Sequence, residues 1–288
     1  MSKNAVTPSS NSAKEARQEI VKLYLSGKSI GRIEDEMGVP HETARLILHK
    51  SGVRLRHVHA ILHEPKSGLD YEIALLLGLH AGDGHLSDSW GISIGGDDSQ
   101  MVEDVVSLAK SVLGIEPYIE VRRNHYLIVK SSKEQARAYF KRFGFTRGRK
   151  AGIVQVPEEI MRSENPEVWV GFLKGAFSSD GSFWFKGNSG QCRFEVSSLR
   201  FRDGFIDLAR RLGFEFRAYS YVHHGGHNKL PLNLAYLGAK DEVARWMERV
   251  GSISDTHLRR YRQWRLKIGL PVAGDSSRNA FDRCPRQN

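Results

Sequence analysis

Two stretches of this chain repeat one another. Residues 72–84 read EIALLLGLHAGDG and residues 169–181 read WVGFLKGAFSSDG, and both end in Asp-Gly. Aligned on Asp83 and Asp180, an offset of 97 sets Ala74 on Gly171, Gly78 on Gly175 and Gly82 on Ser179, so each copy carries small residues at i, i+4 and i+8. That spacing is a stripe along one helix face. Glycine inside a helix costs about 1 kcal/mol relative to alanine, so a costly pattern used twice implies a gain in packing. Two such faces can cross closer than the usual separation of about 8–10 Å between helix axes. The remaining positions are almost all apolar (Ile73, Leu75, Leu76, Leu77, Leu79; Val170, Phe172, Leu173, Ala176, Phe177), which predicts helices buried all round. Gly84 and Gly181 are expected to end them in the left-handed conformation.

If the two helices pack in parallel, Asp83 and Asp180 emerge together. Adjacent carboxylates repel, and one stays protonated unless a cation sits between them. Their oxygens suit a hard divalent ion such as Mg²⁺. The alternative for either copy alone is an ordinary core helix with an Asp-Gly exit; two copies in register argue against it.

Residues 76–84 and 173–181 resemble the LAGLIDADG motif of the homing endonucleases and their maturase relatives, and the resemblance extends over roughly residues 69–268. It implies two similar halves with the motif helices at their interface, a saddle-shaped DNA-binding sheet, and Mg²⁺ (or Mn²⁺) held by Asp83 and Asp180 for DNA cleavage. Both copies depart from the motif at its sixth position, where Ala81 and Ser178 replace the usual acidic residue.

The rest of the chain fits an α+β reading. With 288 residues there is room for two domains and a small third. The absence of a long apolar run or a signal-peptide core predicts a soluble, intracellular protein without a membrane partner. Cys192 and Cys284 are too few for a disulfide framework. A net charge of +10 points to a polyanion without separating DNA from RNA or a membrane surface.

Residues 1–12 read as a disordered tail, and 13–62 as three short helices with apolar faces at Ile20, Val21, Leu23 and Tyr24, at Ile30, Ile33 and Met37, and at Ala44, Leu46, Ile47 and Leu48. This segment resembles the helix-turn-helix of resolvases and many regulators, with His41, Glu42, Thr43, Arg45 and His49 as the base-reading face and Arg54 and Arg56 in a basic arm. A small bundle serving only as a spacer is the other reading. Residues 64–68 read as a linker, and residues 69–150 as a first half ordered helix, strand pair, helix, strand pair, helix. A basic, Pro-containing connector over 145–165 precedes the second half at 166–268, and 273–288 reads as a tail.

The strands alternate. Phe183 and Phe185, then Cys192, Phe194 and Val196, then Leu230, Leu232 and Leu234 are expected on the core side. Arg122 in the first half, and Trp184, Lys186, Arg193, Arg217, Tyr219, Tyr221 and His223 in the second, fall on outward faces suited to a DNA groove. Matching residues 139–144 to 246–251 gives a second offset, 107, that sets Lys133 on Lys240 just before the third helix of each half. These lysines are candidates for stabilising charge during phosphodiester hydrolysis, with Gln191 as another.

These features predict a single-chain, monomeric, site-specific endonuclease acting on double-stranded DNA: two pseudo-symmetric αββαββα halves plus an N-terminal helix-turn-helix domain. The rival is a non-cleaving nucleic-acid binder, either a maturase acting on intron RNA or a LAGLIDADG-like transcription regulator.

Overall fold

The computed structural model describes residues 10–26, 28, 30–53, 62–87, 91–96, 98–122, 125–129, 133–148, 150–222 and 231–270. The chain divides into two compact units, residues 1–57 and 58–288. Among the described residues, no helix is long and apolar enough to cross a membrane.

The first unit has three helices, α1 (Ser10–Leu25), α2 (Ile30–Met37) and α3 (His41–Lys50), around Ile20, Tyr24, Ile33, Ala44 and Leu48. Residues 10–12, read above as tail, already belong to α1. Gly38 and Gly52 turn the chain after α2 and α3 at φ 63° and 70°, in the region glycine enters without strain. Leu46, expected on the apolar side of α3, is 53% exposed. It lies two positions from both Ala44 and Leu48, hence on the opposite helix face.

The second unit repeats one topology. Its first half comprises α4 (Tyr71–Asp83), β1 (Gly84–Ser87), β2 (Gly91–Gly96), α5 (Ser99–Leu113), β3 (Tyr118–Arg122), β4 (His125–Val129) and α6 (Lys133–Arg142). A short α7 (Glu158–Arg162) interrupts the connector. The second half follows as α8 (Pro166–Asp180), β5 (Gly181–Lys186), β6 (Ser189–Val196), α9 (Leu199–Arg211), β7 (Arg217–Tyr221), β8 (Leu232–Leu237) and α10 (Lys240–Arg249). The sheets are ordered β1-β2-β4-β3 and β5-β6-β8-β7, antiparallel throughout, so this is an α+β fold of two αββαββα halves. One apolar core runs through both.

Local chemistry starts the two motif helices. Asp70 caps α4 by accepting from Ile73 N at 2.9 Å, and Asn165 caps α8 by accepting from Glu167 N at 3.0 Å, with Pro166 in the first turn. Asp98 caps α5, and Gly114 closes it at φ 63°.

Three features differ from expectation. Residues 64–68, read as a linker, are docked: Leu62 N and Lys66 N donate to Gly114 O and Val112 O at the end of α5, and Lys66 Nζ reaches Asp70 and Glu72. A further helix, α11 (Asp255–Lys267), follows the second half. Its many arginines hide an apolar edge whose Trp264 is fully buried, 5.8 Å from the Phe183 ring, and donates to Asn188 O at 3.0 Å. Finally, β8 has the opposite phase. Asn233, Ala235 and Leu237 are buried, whereas Leu232 and Leu234 lie on the open face; Leu230 lies outside the described residues. The buried Asn233 is satisfied by donating to Ser197 O (3.0 Å) and accepting from Ser220 Oγ (2.8 Å), so a polar residue sits where alternation calls for leucine.

Candidate active site

The site is built where α4 and α8 meet. Facing positions advance together along both helices, since Gly171 abuts Tyr71, Gly175 lies between Leu75 and Leu79, and Gly82 abuts Ser179 and Asp180. The helices are therefore parallel, and both motif aspartates emerge at the same end. The small-residue stripe is the seam. A Cβ added at Gly175 would lie 2.7 Å from Leu79 N, and one at Gly78 2.8 Å from Ala176 N, with a carbonyl oxygen closer still in each case.

The two exit glycines serve a different purpose from the one predicted. Gly84 (φ −78°) and Gly181 (φ −89°) are extended, not left-handed. Glycine is needed there for space, because a Cβ would strike the His80 ring in one copy and the Phe177 carbonyl and ring in the other. The chain thus passes straight from helix to strand.

Asp83 is exposed and Asp180 half-buried. Burial, then the charge of Asp83, pushes the Asp180 carboxyl up to about 7, with Lys150 opposing the shift. Lys150 is the group that sequence reasoning missed. Its ammonium donates to His80 O at 2.8 Å and to the carbonyls of Ala81 and Gly82, capping the C-terminus of α4. Burial draws its pKa down to about 8, opposed by the charges of Asp180 and then Asp83. Lys150, Ala151, Gly82, Asp180 and Glu195 line one cleft. The available signal was the basic run of the connector, at Arg147, Arg149 and Lys150.

The sixth motif position also finds its reason. Ser178 is buried, donates to Lys174 O (2.6 Å), accepts from Ile253 N (2.9 Å) and lies 3.1 Å from Ser252 Oγ. Ser252 in turn lies 3.0 Å from His257 Nδ1. A small hydroxyl here ties α8 to the segment before α11, and an acidic side chain would crowd it.

Lys133 and Lys240, expected near the carboxylates, open α6 and α10. In register, β4 ends at Val129 level with His85, and β8 ends at Leu237 level with Phe183, each within a few residues of a motif aspartate. Lys240 is exposed.

On the second sheet the register gathers Ser182, Trp184, Lys186, Gln191, Arg193, Glu195, Arg217, Tyr219, Tyr221, Leu232, Leu234 and Tyr236 on the open face. Gln191 Oε1 accepts two bonds from Arg193, at 2.8 and 3.1 Å, and the guanidinium stands 5.9 Å from the Trp184 ring centre. Tyr221 donates to the Glu195 carboxylate. In the first unit His41, Glu42, Thr43, Arg45 and His49 are all exposed along α3, with Arg45 paired to Glu42 at 3.0 Å. Arg122 ends β3, while Arg54, Arg56 and His223 lie outside the described residues.

Fold and site together define a two-half α+β protein with a pair of acidic residues at the end of its central helix seam. Residues 70–144 match the family model of the LAGLIDADG-like domain. A stretch of 145 residues is 30% identical to an A-type ATP synthase subunit from Pyrococcus abyssi (strain GE5 / Orsay), covering 50% of this chain and 14% of that protein. The chain therefore spans about a seventh of that curated relative. Similar solved structures include the homing endonuclease I-DmoI in complex with DNA and Mn (TM-score 0.43, 16% identity, 64% of this chain and 98% of that one). Another is the N-terminal LAGLIDADG domain of DUF199/WhiA (TM-score 0.44, 14% identity, 66% and 88%).

Proposed function

We propose that this chain is a site-specific endonuclease of double-stranded DNA. The observation that carries the reading is the convergence of Asp83 and Asp180 at one end of a parallel helix seam, where burial and then the neighbouring charge of Asp83 raise the Asp180 pKa. Two hard-oxygen donors side by side suit Mg²⁺ or Mn²⁺, an ion that takes its remaining ligands from phosphate and water. When bound, the ion supplies Lewis-acid stabilisation and a more acidic water. Asp83 and Asp180 hold it, and Lys150 adds a fixed positive charge beside Asp180. The open face of the second sheet, with Arg193, Arg217, Lys186 and the exposed Trp184, Tyr219 and Tyr221, meets phosphates and base edges. The three-helix unit adds a second DNA contact through α3 and the arm bearing Arg54 and Arg56. Because one chain carries both motif copies, a monomer suffices.

A second reading, a non-cleaving nucleic-acid binder, is favoured by one observation: Lys150 already provides a counter-ion to the carboxylate pair. Incubation with a library of random duplexes and Mg²⁺, followed by sequencing of cut ends and of bound but uncut DNA, separates the two. Recurrent cuts at one sequence support the nuclease; enrichment of bound DNA without cuts supports the binder.

A further inference from the structure

Leu46 stands in the middle of the outward face of α3, with Ala44 and Leu48 buried on the opposite side. Its neighbours on that face, three and four residues away, are Glu42, Thr43, His49 and Lys50, all polar and all exposed. Among the described residues, the apolar cluster of the three-helix unit and the half-buried side chains around it leave Leu46 out. A single exposed leucine is ordinary on a protein surface. What sets this one apart is its place in the fold.

Three residues separate the end of α2 at Met37 from the start of α3 at His41. The first of them, Gly38, is left-handed at φ 63° and closes α2 by donating from its N–H to Glu34 O at 2.8 Å. Helix, short glycine turn and second helix is the arrangement that lays the second helix in the major groove of DNA. The charge of α3 suits that groove, since its one carboxylate, Glu42, is held by Arg45 at 3.0 Å while Lys50 adds a further cation. Side chains on the outward face then meet base edges. Those edges present hydrogen-bond donors and acceptors at every base pair, and the one apolar group among them is the C5-methyl of thymine. A leucine pressed against any other edge would strip water from a polar group and give it no partner.

Resting on the reading above that the three-helix unit contacts DNA, we propose that Leu46 is a specificity-determining residue, packing on the C5-methyl of a thymine so that the unit selects thymine at that position. The contact removes from water both the methyl and the half-exposed leucine. It involves neither Asp83 nor Asp180, so it holds whether or not the bound DNA is cut.

The test uses the full-length protein in EDTA, where it enriches bound duplexes from a random library. Each thymine of the enriched sequence is then replaced singly by deoxyuridine, which lacks the methyl and keeps every hydrogen-bonding group. At one position the parent should lose about fourfold in affinity, the change that corresponds to one methyl-sized group left in water. Leu46→Ala should bind the thymine duplex more weakly than the parent and no longer distinguish it from the uracil duplex. Leu46→Met, which keeps an apolar side chain of similar volume, should retain the distinction. The melting temperature of Leu46→Ala should match that of the parent, because the side chain points outward. A parent indifferent to uracil at every thymine, a uracil penalty that persists in Leu46→Ala, or a lowered melting temperature of that variant would each overturn the proposal while leaving the unit a DNA contact. If Arg45→Ala and Lys50→Ala also bind long duplexes as the parent does, α3 does not meet DNA, and that part of the reading falls together with the proposal.

Discussion

Asp83 and Asp180 are equivalents in the repeat yet differ in surroundings, one exposed and the other half-buried beside Lys150. Replacing either by Asn removes a metal-binding oxygen and one member of a repelling pair. Asp83→Asn and Asp180→Asn should each lower cleavage at least ~10²-fold, leave DNA affinity within a few fold, and leave the metal-free melting temperature unchanged or higher. Cleavage surviving in the double variant would refute the assignment. His257 gives a pH dependence of stability. Its folded pKa, about 4, lies below the unfolded value near 6.5, so between those limits the unfolded chain binds more protons. Stability should fall as pH drops through that window, by up to ~3 kcal/mol from this group at its lower end. Urea midpoints measured from pH 7 to pH 4.5 should drop less steeply for His257→Gln than for the parent. Parallel curves would show that the ring takes up its proton without cost.

At the scale of elements, the α4–α8 seam decides whether the halves hold their register. In an ordinary helix Gly→Ala stabilises by about 1 kcal/mol. At Gly78 and Gly175 the new methyl would meet the backbone of the opposite helix, near Ala176 N and Leu79 N, and backbone cannot rotate out of the way as a side chain can. Gly78→Ala and Gly175→Ala should therefore each cost roughly 1–3 kcal/mol, read as a lower melting temperature. Unchanged or raised melting in both would mean that the helices separate at no cost. The same seam reaches the chemistry, because a Cβ at Gly82 would lie 3.0 Å from Asp180 Oδ2. Small residues thus admit both the close helix crossing and the close carboxylates.

At the scale of the whole molecule, the units at 1–57 and 58–288 have separate apolar cores. Removal of residues 1–57 should leave a second unit that melts within a few degrees of its transition in the full chain, since residues 62–66 stay docked on α5. If the first unit is an auxiliary DNA reader, the truncated protein should bind long duplexes more weakly, because one of two tethered contacts is lost. Its affinity should also fall less steeply with salt, because fewer counterions are released. Identical affinity and salt slope on DNA extending well past the cut site would show that the unit is a spacer or has another partner.

Periodicity determined much of this protein by itself. The i, i+4, i+8 stripe, the helix caps at Asp70 and Asn165, and the outward faces of β5, β6 and β7 follow from residues close together in the chain. Their cause is local, in helix spacing, strand alternation and capping hydrogen bonds. Other features were decided by tertiary contacts, which have no period to read. Lys150 reaches carbonyls 68 to 70 residues earlier in the chain, and Asn233 is buried in β8 because Ser197, 36 residues away, accepts its amide proton. Gly84 and Gly181 look like left-handed helix terminators in the sequence, but they are extended and leave room for His80 and Phe177, four residues earlier, whose rings pack against Phe140 and Trp246. Trp264 turns a basic segment into a docked helix because a place for its ring exists only once β5 and β6 have paired.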